Sequence, residues 1–197
     1  MNGATVLNRG ETLLAIRDAV RDGDAAKAIR LLRDNAEPGD DAVLHARYGR
    51  FARTLTSQLP DLPVLRIAFL ANATLDHWVD CLRFWLLLEG FRLHELLVPF
   101  GTWRQQVVDP QSQLYQFWPD VVWFFVLAGD LRLEEVLPAD AVADVAHQLS
   151  TVASHLPALL IVNNVTAPAH RVYGNLEASV PGSVAARIDQ FNSALPT

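Results

Sequence analysis

The sequence is poor in cysteine and in basic residues, and it lacks long hydrophobic runs. Cys81 is the one cysteine in 197 residues, which excludes an internal disulfide and fits a reducing cytosol. Lysine and arginine number 16 against 22 acidic residues, and the net charge of −6 argues against a nucleic-acid-binding protein. The first dozen residues have no apolar run typical of a signal peptide, and the longest apolar runs are too short to span a bilayer. We therefore expect a cytoplasmic protein with no nucleic-acid or membrane partner.

The N-terminal third of the chain carries apolar residues at helical spacing. This pattern predicts helices over 12–21, 25–35 and 42–58, separated by turn residues that include Gly23 and the segment 38–41. Two prolines, Pro60 and Pro63, then break the helical pattern and predict a linker. Residues 1–62 are therefore expected to form an antiparallel helical cap.

From residue 65 onward, short apolar runs alternate with helical segments. Strands are expected at 65–71, 93–98, 121–127 and 158–162, and helices at 75–89, 102–108, 139–155 and 183–195. The strand runs are apolar on both faces, as in a parallel sheet covered by helices on each side. Residues 63–197 are therefore expected to form an α/β domain with a doubly wound parallel sheet. A hydrophobic content of 51% is enough for a substantial core.

Polar residues and a glycine lie just past the ends of the predicted strands, where an open parallel sheet places its ligand crevice. Arg104 offers a planar guanidinium for phosphate or carboxylate, or else ties its loop to the sheet by hydrogen bonds. Thr74 is the only hydroxyl in the turn after the first strand, and either it or Asn72 is also a candidate N-cap of the next helix. The candidate site residues are Asn72, Thr74, Gly101, Arg104, Gln105, Asp130 and Asn163.

Two neighbouring segments carry a family resemblance. They are Gly101-Thr102-Trp103-Arg104-Gln105-Gln106 and the connector Asp109-Pro110-Gln111-Ser112-Gln113-Leu114-Tyr115-Gln116-Phe117-Trp118-Pro119-Asp120. Together they resemble the "GxYRQexLDPxSxLYxFxPDvV" signature in the N-terminal domain of FkbH-like proteins. Trp103 stands where that family usually has tyrosine, and Gln106 where it usually has glutamate. The connector residues Leu114, Tyr115, Phe117 and Trp118 are expected to pack against the sheet.

The resemblance implies an SGNH-hydrolase-like or flavodoxin-like fold and a role in loading a glyceryl unit onto an acyl carrier protein for polyketide biosynthesis. In full-length relatives a haloacid-dehalogenase-type phosphatase domain follows, opening with an Asp-x-Asp magnesium motif. The chain is expected to lack both that domain and the C-terminal Asp/His block of SGNH proteins. The resemblance therefore implies no cofactor and no metal in this chain.

Compared with SGNH hydrolases, the chain departs from the catalytic set. The nucleophilic serine falls on Ala73 and the oxyanion-binding asparagine on Gly129, which leaves Thr74 as the candidate catalytic residue. Gly101 matches the glycine whose N–H donates to the oxyanion in those enzymes. Among the histidines, only His170 is expected in a loop near the crevice. The leading interpretation is a binding or positioning module for carrier-protein loading. The alternatives are an SGNH-type acyl esterase or acyltransferase, and a non-catalytic protein-interaction subunit.

Overall fold

A computed structural model of the chain describes residues 9–166, 176 and 179–195. The strands are β1 (Val64–Ala71), β2 (Arg92–Leu97), β3 (Val121–Phe125) and β4 (Leu159–Val162). The helices are α1 (Arg9–Arg21), α2 (Ala25–Asn35), α3 (Ala42–Gln58), α4 (Asp76–Leu88), α5 (Trp103–Val108), α6 (Gln113–Phe117), α7 (Ala128–Leu131), α8 (Pro138–Ala153) and α9 (Val184–Ala194).

The four strands form one parallel sheet in the order β2-β1-β3-β4. Ile67 of β1 lies opposite Val121 of β3, and Val121 lies opposite Leu159 of β4. The chain moves from β1 to one side for β2 and then to the other side for β3. This is the order of the first four strands of a flavodoxin-like sheet, whose ligand crevice lies between β1 and β3. The predicted parallel α/β fold is confirmed.

The chain forms two compact units. One contains the sequence up to Leu65 together with Leu75–His94, and the other contains Arg66–Thr74 together with Glu95–Thr197. Helix α4 therefore belongs with the N-terminal helices, although it follows β1 in the sequence. The domain boundary expected between residues 62 and 63 would place α4 in the α/β domain instead. That boundary remains a prediction.

The helical unit is built by local signals and a shared apolar core. Asp24 accepts a hydrogen bond from the Lys27 N–H at 3.0 Å and so caps α2. Asp41 caps α3 in the same way. The core of the unit is fully buried and is drawn from α1 to α4; its largest members include Ile16, Leu32, Leu55, Phe84 and Leu87.

The α/β unit has its own core, to which the sheet, the connector and the last helices contribute. Val122 and Phe124 of β3 are buried together with Leu114 of α6 and Phe191 of α9. Strand β3 ends at Phe125, two residues earlier than predicted, and the short helices α6 and α7 were not predicted. None of the helices within the described part of the chain has the length and apolar character needed to cross a membrane.

Candidate functional site

The carboxyl ends of the four parallel strands bring several of the predicted site residues to one edge of the sheet. Asn72 directly follows β1, and Gly101 lies in the loop after β2. Asp130 lies in α7, which begins two residues after β3, and Asn163 directly follows β4. The expectation that these positions share one edge of the sheet is therefore met.

Asn72 is the centre of a hydrogen-bond network at the carboxyl ends of β1 and β3. Its Nδ2 donates to Asp130 Oδ1 at 2.6 Å, and its Oδ1 accepts the Gly101 N–H at 2.9 Å. The second oxygen of Asp130, Oδ2, accepts the Leu127 N–H at 2.9 Å. One amide and one carboxylate thus tie together the loops that follow β1, β2 and β3. We refer to Asn72, Gly101 and Asp130 as the Asn72 network.

Gly101 has a left-handed backbone conformation, which glycine adopts more easily than other residues. Its φ of +77° lies in the left-handed region, where a side chain is strained. This conformation directs the N–H of Gly101 to Asn72 rather than to open solvent. The oxyanion-donor role expected for Gly101 therefore requires Asn72 to release that N–H first.

Asn163 continues the pairing of β3 with β4 beyond the last strand residue. Its Oδ1 accepts the Val126 N–H and its Nδ2 donates to the Val126 carbonyl, each at 2.9 Å. The side-chain amide thus mimics a backbone ladder step, which holds the loop after β3 beside the end of β4. Both polar groups of the Asn163 side chain contact backbone in this arrangement.

Thr74 is exposed, and its hydroxyl makes no hydrogen bond to another residue within 9–166 or 179–195. The N-cap of α4 is Leu75, which has no side-chain capping bond, so the interpretation of Thr74 or Asn72 as a helix cap is wrong. Asn72 is instead drawn into the network with Asp130, a partner 58 residues away that local sequence cannot reveal. A threonine nucleophile needs a base within hydrogen-bond reach, and Thr74 has none in the described part of the chain.

Arg104 lies on α5 and joins it to α8. Its Nη1 contacts Asp144 Oδ2 at 2.5 Å, and its guanidinium stacks over the Trp103 ring at 4.4 Å from the centroid. The side chain is 43% exposed and has no further hydrogen-bond partner among the described residues. An arginine has five N–H donors, so most of the fork remains available to an anion. The structure shows no contact between Arg104 and the Asn72 network, and Gln105 is exposed beside it.

The connector after α5 is held by hydrogen bonds to α5 itself. The Ser112 hydroxyl donates to the Gln106 carbonyl and the Tyr115 hydroxyl donates to the Val107 carbonyl, each at 2.6 Å. Burial raises the pKa of Tyr115, which keeps this donor protonated. Leu114 is fully buried, as predicted. Trp118 is 58% exposed, contrary to prediction, and it ends α6 in the left-handed conformation with φ of 51°.

The described residues of the site supply hydrogen-bond donors and carboxylates but no recognisable catalytic set. No group of three His, Cys, Asp or Glu side chains suited to a metal ion occurs in residues 9–166 or 179–195. His170, the histidine expected near the crevice, lies outside the described residues. The hydrogen bonds of the Asn72 network hold the loops after β1, β2 and β3 together.

Sequence reasoning missed two residues that shape this part of the molecule. Asp144 of α8 supplies the carboxylate that pairs with Arg104. Asn192 of α9 fixes the chain after β4, since its side chain bonds both the N–H and the carbonyl of Val165 at 2.8 Å. For Asp144 the local sequence carries no signal.

Comparisons with known proteins give a fold likeness and no close relative. No family model matches the sequence, and no curated protein matches it. Among solved structures, the chain is similar to the crystallised N-terminal part of the protein BF1531 from Bacteroides fragilis, described as containing a phosphatase domain complexed with Mg. The TM-score is 0.56 at 16% sequence identity, over 92% of this chain and 40% of that one. The chain thus spans less than half the length of the structure it resembles, and the likeness establishes the α/β fold.

Proposed function

We propose that this chain is an FkbH-like N-terminal module that binds and positions an acyl carrier protein while a glyceryl or related acyl unit is loaded onto it. The role is one of binding, and the covalent chemistry belongs to a partner. In full-length relatives that partner is a haloacid-dehalogenase-type phosphatase domain. The cellular context expected from this role is cytoplasmic polyketide or related secondary metabolism.

The observation that carries the proposal is the Asn72 network at the β1/β3 crevice. In a parallel α/β sheet this crevice is the place where ligands bind. Here its amide and carboxylate bind each other and the Gly101 N–H, whereas an acyl-transfer site requires a nucleophile paired with a base. A crevice with fixed loops and no such pair favours binding over hydrolysis.

Arg104 is the residue proposed to contact the anionic group of the ligand. Its guanidinium is half exposed, and Trp103 beneath it limits the orientations that it samples. A phosphate, such as that of the carrier's phosphopantetheine arm, matches the planar fork of an arginine better than the point charge of a lysine. Asp144 holds one edge of the fork and leaves the opposite edge to the ligand.

The fold likeness to the Bacteroides fragilis structure supports the proposed partnership. That structure is similar to this chain over 40% of its length and is described as containing a phosphatase domain complexed with Mg. A phosphatase domain next to a region of this fold is the arrangement that the FkbH-like resemblance implies. We infer that a domain or subunit of that class acts together with this chain.

The experiment is a titration of the full chain with an acyl carrier protein in its holo form and, separately, in its apo form. Wild-type protein is expected to bind the holo form more tightly, because only that form carries the phosphate of the phosphopantetheine arm. Arg104→Lys is expected to weaken binding of the holo form by about ten- to a hundredfold, since a hydrogen bond to a charged group contributes about 1.5–3 kcal/mol. Arg30→Lys, at an exposed arginine on α2, is the matched control and is expected to leave affinity unchanged.

The two variants must have the same thermal unfolding midpoint as the wild type for the comparison to count. Equal affinity of wild type and Arg104→Lys for the holo carrier would mean that Arg104 serves only to join α5 to α8 through Asp144. Equal affinity of the wild type for holo and apo forms would contradict recognition of the phosphopantetheine arm.

A further inference from the structure

Helix α3 has an unusual distribution of charge for this chain. Its 17 residues include Arg47, Arg50 and Arg53 and no aspartate or glutamate, although the protein as a whole has a net charge of −6. A helix that is basic along its length in an acidic protein concentrates positive potential on one surface. Such a surface attracts partners of the opposite charge.

The three arginines have different surroundings. Arg53 forms a bidentate pair with Asp80 of α4, and its Nε lies 2.8 Å from Asp80 Oδ1. Arg47 and Arg50 are exposed, and neither makes an ion pair or a side-chain hydrogen bond with another residue in the described part of the chain. Arg53 is thus a structural residue, whereas Arg47 and Arg50 present their charge to solvent.

Two grooves with apolar walls lie on either side of these arginines, both within the helical unit. The larger groove, of about 550 Å³, lies between α3 and α4 and is lined by residues that include Val43, Trp78 and Cys81. The smaller groove, of about 300 Å³, lies between α1 and α3 and includes Leu14 and Phe51. Arg50 borders both grooves. Val43 is 64% exposed and Leu14 is 50% exposed, so the apolar surface is open to solvent.

The spacing of residues along α3 places an apolar side chain and two basic side chains on the same face of the helix. Val43, Arg47 and Arg50 are separated by four and three residues, and positions with this spacing lie on one face of a helix. A groove between helices, apolar at its base and basic along its border, is the complement of an amphipathic helix with an acidic polar face. Recognition of a helix in a groove uses this combination of apolar contacts and bordering charges.

We propose that this surface, the α3 docking face formed by Leu14, Val43, Arg47, Arg50 and Trp78, binds an acidic amphipathic helix of a partner protein. The apolar side of that helix packs against Val43 and Trp78, while its carboxylates pair with Arg47 and Arg50. Two exposed arginines are fewer than the four to eight basic residues of anionic-lipid sites, which favours a protein partner. The inference concerns the helical unit and does not depend on the role proposed for Arg104.

The first test uses a fluorescent model peptide and the full chain. The peptide is a helix of about 18 residues with leucine on one face and glutamate elsewhere, and its counterpart carries lysine in place of glutamate. The acidic peptide is expected to bind saturably, with an affinity that falls as salt rises, and the basic peptide is expected not to bind. Equal binding of both peptides would overturn the proposal, because it would show apolar adsorption without charge recognition.

The charge of α3 is tested by reversal. The double variant Arg47→Glu, Arg50→Glu is expected to weaken binding of the acidic peptide by about tenfold or more, as attraction becomes repulsion. The matched control is Arg30→Glu, which reverses an exposed arginine of the same unit that borders neither groove. Unchanged binding by the double variant, or an equal loss in the control, would overturn the proposal. So would binding of the chain to phosphatidylserine vesicles through Arg47 and Arg50 without binding of the acidic peptide.

The single cysteine of the chain reports where the peptide lies. Cys81 lines the larger groove, and burial followed by the charge of Asp80 raises the pKa of its thiol, so alkylation by iodoacetamide is measured at alkaline pH. Saturating acidic peptide is expected to slow alkylation of Cys81 in the wild type and in Arg30→Glu, but not in the double variant. Saturable binding that leaves the alkylation rate unchanged would place the peptide elsewhere and overturn the proposal.

Discussion

At the scale of single residues, the Asn72 amide links more of the loops at the carboxyl edge of the sheet than the other candidate site residues do. It satisfies a carboxylate oxygen of Asp130 and the N–H of Gly101 at the same time, and so fixes the loops after three strands. Asn163 does the same for the loop after β3 from the side of β4. Both amides make their hydrogen bonds within the protein. These bonds therefore hold the loops at the carboxyl edge of the sheet in one shape.

Replacement of Asn72 by alanine is expected to destabilise the protein by about 1 kcal/mol, since it removes the part-buried hydrogen bond to Asp130, whereas the N–H of the exposed Gly101 can bond water instead. The free energy of unfolding from urea titration measures this loss. Asn164→Ala is the matched control, because Asn164 is exposed and only its backbone carbonyl takes part in a hydrogen bond within the described residues. A variant Asn72→Ala as stable as the wild type would show that the network contributes nothing to the fold.

The sequence predicted which polar residues lie at the carboxyl edge, but not the bonds that they make. Position is predictable because polar residues after apolar strand runs lie at the same end of a parallel sheet. The hydrogen-bond partners are not predictable, because Asn72 and Asp130 are 58 residues apart and no local sequence pattern contains both. The same reason explains why Asp144 was missed as the partner of Arg104, and why Asn72 was wrongly considered a helix cap.

At the scale of elements, the packing of α3 on α4 depends on the absence of a side chain at Gly49. A Cβ at this position would lie 2.9 Å from Asp80 Cβ and 3.2 Å from the Asp80 carbonyl oxygen. Gly49 therefore permits the close approach of two helices that share the core around Phe84. The sequence signal is a glycine inside a helix, where alanine is intrinsically better.

Gly49→Ala is expected to lower the thermal unfolding midpoint. Overpacking costs about 1–3 kcal/mol, which outweighs the gain of about 1 kcal/mol in helix propensity because backbone atoms of α4 are in the way. Gly39→Ala is the control, since a Cβ there meets nothing within 4 Å. A higher unfolding midpoint for Gly49→Ala than for the wild type, with the control unchanged, would contradict this account. It would show that α3 and α4 can move apart to accept the extra Cβ without loss of stability.

The turn between α2 and α3 gives the protein a pH-dependent contribution to stability. The Glu37 N–H donates to Asp40 Oδ2 at 3.0 Å, and this bond, helped by the Tyr48 hydroxyl and by Arg9, lowers the pKa of Asp40 below its ordinary value of 3.8. Burial, with Asp40 beside it, raises the pKa of Tyr48 to about 12, so its hydroxyl remains a donor over the working range. A carboxyl with a lowered pKa in the folded state stabilises the protein in its ionised form.

Asp40→Asn is expected to be less stable than the wild type above pH 3.8, and the difference is expected to shrink as the pH falls through the lowered pKa of the folded state. Urea unfolding of both proteins at neutral and acidic pH measures the difference. Asp34→Asn, at an exposed carboxylate with no hydrogen bond within the described residues, is the control and is expected to show no such trend. A constant difference between wild type and Asp40→Asn at all pH values would contradict the role of the charge.

Local signals explain which elements the sequence predicted well. The caps Asp24 and Asp41 act over three residues, so the starts of α2 and α3 were predicted at the residue where they occur. The short helices α6 and α7 have five and four residues, too few for an apolar period to be visible. Trp118 was expected inside because it is large and apolar. It is instead the C-cap of α6, with a left-handed backbone, and it is exposed.

At the scale of the whole molecule, the parallel sheet in the order β2-β1-β3-β4 accounts for the gathering of the site residues. The sequence predicted parallel strands from their two apolar faces. It did not predict that α4 would form a compact unit with α1 to α3, because the grouping of helices depends on contacts distant in sequence. The helical unit therefore has one more helix than the predicted cap, and α4 provides one wall of the groove beside α3.

The isolated chain is expected to show no esterase activity above that of buffer. Ala73 provides no nucleophile at the serine position of SGNH enzymes, and the exposed Thr74 hydroxyl has no base in reach among the described residues. Hydrolysis of p-nitrophenyl acetate at neutral pH, with Thr74→Ala as the matched variant, measures this. Turnover that disappears in Thr74→Ala would contradict the binding role and favour the hydrolase alternative.

Hydrogen exchange of the full chain with and without a holo acyl carrier protein tests the central claim most directly. If the carboxyl edge of the sheet is the binding site, the amides of the loops at 99–105 and 126–132 should exchange more slowly in the complex. The amides of α9, which serves the core of the same unit, should be unaffected. Unchanged exchange in both loops under saturating carrier protein would contradict the account.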